Sequence, residues 1–231
     1  MSILSFRPAA AMLAAGVIAP MSLGVTLGYT ETFPESTANW KNTTSGDMTW
    51  VPAGGPDGSS YANTTFSFNG LTPGSQPTIM RCQSNFNSSG GAFFGDYIGQ
   101  GVTAVSFDIR QDSPDTLNGF IRFAFSSNPG GSGSGFPGAA FVFSLPANTW
   151  THVTVPIGPG TPFFYEPTGT FAGIFSAVTR IQYGALVPSD LITNGASYNF
   201  DIDNVSIVPA PGAATAGLIG GAMLLRRRRS N

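Results

Sequence analysis

Three oxygen-bearing side chains, Asp201, Asp203 and Asn204, stand within four residues of one another near the end of the 231-residue chain. Two carboxylates and a side-chain carbonyl are hard donors, the kind that calcium takes about six to eight at a time. The flanking residues give them a common edge. Phe200 and Ile202 keep one parity whereas Val205 and Ile207 keep the other, so the inward face slips by one residue at Asp203 and Asn204. Such a slip predicts a β-bulge, which re-aims a side chain and often lies beside a site. No EF-hand loop is present.

Other chemistry is thinly supplied. His152 is the single histidine. It alternates with Trp150 and Thr154 opposite Val153 and Val155, which predicts an outward strand residue. No serine has glycine two residues before and two after it, so there is no nucleophile elbow. The single cysteine, Cys82, excludes an internal disulfide and a Cys-x-x-Cys site, and one Cys with one His leaves zinc short of ligands. Twelve acids include the two carboxylates a glycosidase needs, but no spacing marks a pair. Sugar recognition takes exposed rings, and Trp40, Trp50, Trp150, Tyr61 and Tyr97 are the candidates. The glycine-rich stretch 128–135 has no lysine after it and no helix to open, so it reads as a hairpin tip rather than a phosphate loop.

These residues need a frame, and the composition says which kind. Only 10% of the chain is charged, while 42% is hydrophobic, with 19 phenylalanines, 30 glycines and 18 prolines. That argues against disorder and against helix bundles, and leaves an all-β domain with many turns. Period-2 alternation is clearest over 102–110, where Val105, Phe107 and Ile109 share one face and Ala104, Ser106, Asp108 and Arg110 the other. Further strands are expected over 61–68, 78–84, 92–97, 120–126, 141–145, 150–155, 178–183 and 198–208, with a helical turn only at 171–177. Nine or more short strands with one buried face each predict a two-sheet antiparallel sandwich.

Charge is segregated along the chain. Arg7 lies near the start and Arg226, Arg227, Arg228 and Arg229 near the end, leaving five basic residues against twelve acids in the middle, a balance of −7. That balance repels nucleic acid. Arg7 precedes an apolar stretch and then small residues, the order of a secretory signal peptide, assigned to 1–28. At the other end, residues 213–225 carry no charge and precede the four arginines. Thirteen residues make roughly 20 Å of helix, short of a hydrocarbon core of roughly 30 Å. The arginines would stay cytoplasmic while the acidic middle, 29–207, crosses the membrane.

Two resemblances follow from these residues. Val208, Pro209 and Pro211, then a short apolar helix, then Arg226 to Arg229, resemble the PEP-CTERM sorting signal of exported bacterial proteins. The likeness covers 208–229, within a tail assigned to 208–231, and Ala210 stands where that family places a glutamate. It implies transient anchoring in the inner membrane, an exosortase-type transpeptidase as partner, and release towards the cell surface or extracellular matrix. The strand over 199–207 is similar to the one that closes many jelly-roll carbohydrate-binding modules, and Tyr29 to Phe33 with Trp40 is similar to their first strand. That likeness implies a jelly roll whose first and last strands pair, with one structural calcium ion joining Glu31 to Asp203 and Asn204. The expectation for function is a non-enzymatic exported surface or matrix protein. A polysaccharide-binding module is the alternative, and a glycan-cleaving enzyme comes third.

Overall fold

The structure is a computed structural model that describes residues 24–124, 137–166 and 169–211. Among the described residues twelve strands form two antiparallel sheets, the all-β sandwich expected from the alternation. Sheet A holds β1 (Thr30–Glu31), β3 (Thr49–Val51), β4 (Tyr61–Phe66), β6 (Val102–Gln111), β9 (Thr151–Pro156) and β12 (Tyr198–Pro209), in the order β3-β4-β12-β6-β9 with β1 also on β12. Sheet B holds β2 (Lys41–Asn42), β5 (Thr78–Gln83), β7 (Leu117–Ala124), β8 (Gly138–Leu145), β10 (Phe164–Tyr165) and β11 (Arg180–Ala185), in the order β10-β8-β7-β11-β5-β2. The inner faces meet through aromatic rings. Trp40 is fully buried, stacked at 5.8 Å on Tyr183 and edge-on to Phe33 and Phe93, and its Nε1 donates to Ser89 Oγ at 2.8 Å. Rings of this size dominate core energetics, and the indole N–H is satisfied where it is buried.

First and last strands pair as the resemblance implies: Thr30 lies opposite Ser206 and Glu31 opposite Val205. The slip in parity is a bulge. Asp203 faces Asp108 and Ser206 faces Ser106, so two residues of β12 oppose Phe107 alone, and Asn204 takes a φ of 49°. Asparagine tolerates this left-handed conformation better than most residues, which suits it to a bulge.

Two short helices close loops. α1 (Tyr97–Gln100) is capped by Asp96, whose Oδ1 accepts from Gly99 N, and α2 (Phe171–Phe175) by Thr170, whose Oγ1 accepts from Gly173 N. α2 falls within the expected helical turn. The strand expected over 92–97 does not form. Gly91 and Gly95 have φ of 90° and 134°, breaking the extended backbone, so Phe93, Phe94 and Tyr97 are buried from a turn-rich segment tied to Val178 only through Gly95.

The packed unit extends past both expected boundaries. Val25 is buried in the core and Thr26 N donates to Ala92 O, although both residues fall within the expected leader. At the other end β12 runs through Val208 and Pro209, whose carbonyls accept from Thr103 Oγ1, and Pro211 is exposed beyond it. Residues 1–23, the glycine-rich stretch at 128–135, and the apolar segment with Arg226 to Arg229 lie outside the described residues. Among the described residues no helix is long and apolar enough to cross a membrane.

Candidate functional site

The outer face of sheet A holds an open cleft of about 440 Å³, lined by Val51, Tyr61, Asn63, Arg110, Asp112, Asn148, Asn199 and Asp201. Strand register brings these together. Asp201 of β12 lies directly between Asn63 of β4 and Arg110 of β6, and Val51 lies opposite Tyr61, so their side chains share the outward face. Trp150, the residue before β9, borders the cleft through its contacts with Tyr61 and Arg110.

At the floor, Arg110 Nε and Nη2 stand 2.8 and 2.7 Å from Asp201 Oδ2, and Asn63 Nδ2 donates to Asp201 Oδ1 at 2.6 Å. The Asp201 side chain is nearly buried, whereas Arg110 is partly open to solvent. Burial works against the Arg110 charge, but the hydrogen bond and charge of Asp201 outweigh it and leave the guanidinium pKa above its ordinary value. The guanidinium carbon also lies 4.8 Å from the Trp150 ring centre and 5.4 Å from that of Tyr61, and the two rings meet edge to face at 5.5 Å. Trp150 is fixed by an Nε1 bond to Gly54 O at 3.1 Å. On the far side Asp112 accepts from Asn199 N and Nδ2 at 2.7 and 2.6 Å.

Of the five aromatic candidates, the fold places Tyr61 in the lining of this cleft and Trp150 beside it, against Tyr61 and Arg110. Trp40 and Tyr97 are core residues, and Trp50, opposite the buried Ala62, belongs to the other face of the sheet, where its Nε1 donates to Phe33 O at the open edge. Arg110 escaped notice in the sequence, where no motif marks it. The available signal was its parity with Ser106 and Asp108 on the outward side of β6.

The predicted oxygen donors divide between two faces. Asp203 Oδ2 accepts from Ser59 Oγ at 2.6 Å, its Oδ1 accepts from Asn204 N at 2.8 Å, and Asn204 Nδ2 donates to Asp108 Oδ2 at 2.9 Å. Beside them His152, outward as expected, sets Nδ1 2.8 Å from Asp108 Oδ1. Asp203 thus shares the outer face with Asp108. Glu31 pairs in register with the buried Val205, so it turns inward, where its Oε2 accepts from Tyr29 Oη and its Oε1 from Phe33 N, both at 2.9 Å. Burial, reinforced by the bond and charge of Glu31, pushes the Tyr29 phenol up to about 12. Glu31 and Asp203 therefore do not fit one shared ion: they lie on opposite faces of the sheet with both oxygens of each already accepting. Among the described residues no three His, Cys, Asp or Glu side chains group to hold a metal.

No protein-family model matches the sequence, and no curated protein matches it. Among solved structures the chain is similar to a family 11 carbohydrate-binding module from Clostridium thermocellum in complex with a β-1,3-1,4-mixed-linked tetrasaccharide, at 14% identity and a TM-score of 0.45, over 80% of this chain and 98% of that one. It is similar to a xylan-binding domain of carbohydrate-binding family 22, at 14% identity and a TM-score of 0.44, over 79% of this chain and 94% of that one. It is also similar to the N-terminal modules of endo-1,4-β-D-xylanase 10B from Clostridium thermocellum complexed with xylohexaose, at 13% identity and a TM-score of 0.45. That match covers 78% of this chain but only 28% of the xylanase chain.

Proposed function

We propose that the domain binds polysaccharide in the cleft on sheet A, as the folded part of an exported cell-surface protein. The observation that carries this reading is the Arg110–Asp201 pair set beside the Tyr61 and Trp150 rings. Sugars present neighbouring hydroxyls, each donor and acceptor, around an apolar C–H face. A guanidinium next to a carboxylate, with the Asn63, Asn148 and Asn199 amides around them, matches the hydroxyls, and the two rings supply apolar surface. Asp201 and Asp112 are each engaged as acceptors by neighbouring N–H groups, an arrangement suited to holding a ligand rather than cleaving it. The leader over 1–28 and the sorting tail over 208–231, with exosortase as partner, would deliver the domain to the surface.

Affinity electrophoresis of the protein through gels containing soluble neutral polysaccharides tests the reading. At least one polymer should retard it, and Trp150→Ala should weaken that retardation by about tenfold or more, the scale of losing an aromatic anchor. Absence of retardation across the panel, or retardation that Trp150→Ala leaves intact, would overturn it.

A further inference from the structure

The bulge in β12 aims Asp203 at a segment outside the cleft. Asp203 lies two residues along β12 from Asp201 on the same outward face, opposite Asp108, so about 7 Å of strand separates it from the floor of the cleft. An outward aspartate ordinarily meets water. Asp203 is fully buried all the same, because the segment between β3 and β4, residues 52–60, folds over it. The contact is close: Ser59 Oγ donates to Asp203 Oδ2 at 2.6 Å, and a Cβ on Gly55 would stand 2.9 Å from the same oxygen and closer still to Ser59 Oγ. A residue without a side chain is what lets the backbone pass there.

The segment buries little apolar surface of its own. Pro52, Ala53, Gly54, Pro56, Asp57 and Gly58 are exposed, and a stretch of that kind opens at low free energy unless specific bonds close it. Internal bonds make it a compact turn: Gly55 N donates to Ser59 O at 2.8 Å, and Ser59 N to Asp57 Oδ1 at 3.1 Å. Bonds to the rest of the domain decide where that turn sits. Ser59 Oγ ties it to Asp203, and Ser60 Oγ donates to Phe33 O at 2.7 Å. From this seat the Gly54 carbonyl accepts from Trp150 Nε1 at 3.1 Å. The bulge supports the arrangement, since Asn204 N takes Asp203 Oδ1 and leaves Oδ2 to Ser59.

We propose that Asp203 is a positioning residue for the sugar cleft: by holding Ser59 it seats the 52–60 turn so that the Gly54 carbonyl sets the Trp150 ring against Arg110. This inference rests on the polysaccharide-binding reading and adds to it the element that prepares the site. An indole has a single N–H donor, so the carbonyl that takes it fixes which way that edge of the ring points. The ring then lies 4.8 Å from the Arg110 guanidinium carbon and 5.5 Å from the Tyr61 ring. An aromatic side chain held in place before its ligand arrives has less freedom to lose on binding.

Full-length protein labelled with 5-fluorotryptophan carries three fluorine signals, from Trp40, Trp50 and Trp150, and Trp→Phe variants at 50 and 150 assign them. Ser59→Ala should shift or broaden the Trp150 signal, while that of the core residue Trp40 stays in place and reports an intact fold. Gly55→Ala, with no room for its methyl group, should have the same effect, and Ser59→Thr, which keeps the hydroxyl, should leave the Trp150 signal near its original position. In gels containing a polysaccharide that retards the unmutated protein, Ser59→Ala should weaken binding about threefold, the scale of one lost hydrogen bond. Added to Trp150→Ala it should change nothing further, because its effect runs through that ring. A Trp150 signal indifferent to both Ser59→Ala and Gly55→Ala in folded protein, or an equal weakening by Ser59→Ala when residue 150 is already alanine, would overturn the proposal. The fluorine signals need no ligand, so failure of the positioning role shows there, whereas failure of the polysaccharide reading shows as absence of retardation of the unmutated protein.

Discussion

Arg110 lies with two of its nitrogens on one oxygen of Asp201, and the second oxygen of that carboxylate belongs to Asn63. The pair joins β6 to β12 on the outer face of sheet A and holds the Arg110 guanidinium 4.8 Å from the centre of the Trp150 ring.

Removing the guanidinium leaves the nearly buried Asp201 charge without its counterion. Arg110→Ala should therefore destabilise the protein by about 2–3 kcal/mol, below the usual cost of breaking a fully buried pair because Arg110 is partly exposed. Urea unfolding at neutral pH measures this. The double variant Arg110→Ala, Asp201→Asn should recover part of the loss, and no recovery would mean that Arg110 acts through packing on the rings.

Asp203 gives a pH dependence of known sign. Burial raises its carboxyl above the ordinary value despite the bonds from Ser59 and Asn204 N, and the Asp57 and Asp108 charges act in the same direction. The folded state then holds the proton more tightly than the unfolded chain. The resulting stabilisation is fully present below the unfolded value, about 3.9, and is lost as pH rises through the folded value. Asp203→Asn cannot ionise, so its stability relative to the unmutated protein should increase from about pH 4 to pH 7. A difference that stays flat or falls over that range, in unfolding midpoints taken across it, would contradict the assignment.

Gly184 has no room for a side chain. A Cβ there would come 2.2 Å from Pro77 O and 2.5 Å from the Phe120 ring, and the register with β5 shifts at this residue. Gly184→Ala should cost about 1–3 kcal/mol as overpacking against backbone. Thermal unfolding would show it, and an unchanged midpoint would mean that the 71–77 loop moves aside freely.

Chelation tests the calcium that the jelly-roll resemblance implies. With Glu31 and Asp203 on opposite faces, the unfolding midpoint in EGTA should equal that in calcium. An ion present at a hundred times its Kd adds about 2.7 kcal/mol, enough to see. A midpoint that falls with chelator and recovers with calcium would assign an ion to donors other than this pair.

The frame was more legible in the sequence than the sites. Alternation at Val105, Phe107 and Ile109 reports burial directly, and the broken parity at Asp203 and Asn204 marked the bulge because a one-residue slip moves every later side chain to the other face. The segment over 92–97 misled because its hydrophobic content says nothing of the positive φ at Gly91 and Gly95. Glu31 was assigned by resemblance alone, because strand β1 is two residues long, too short to show which face its side chain takes. The cleft was legible only in pieces: Asp201, Tyr61 and Trp150 were each singled out, but not their meeting with Arg110. Asn63, Arg110 and Asp201 are neighbours only through sheet order, and order is fixed by long-range pairing that no local spacing records.

Of the strands described, β12 comes last in chain order and occupies the centre of its sheet, bonded to β4 and β1 along one edge and to β6 along the other. Until residues 198–209 arrive, β4 and β6 have no common partner, and the contact between Thr30 and Ser206 closes a span of 176 residues. Contacts of that range form late and slowly. Sheet A is therefore keyed by this strand: a chain still on the ribosome lacks the piece that locks the sheet, and β4 and β6 wait unpaired until it emerges.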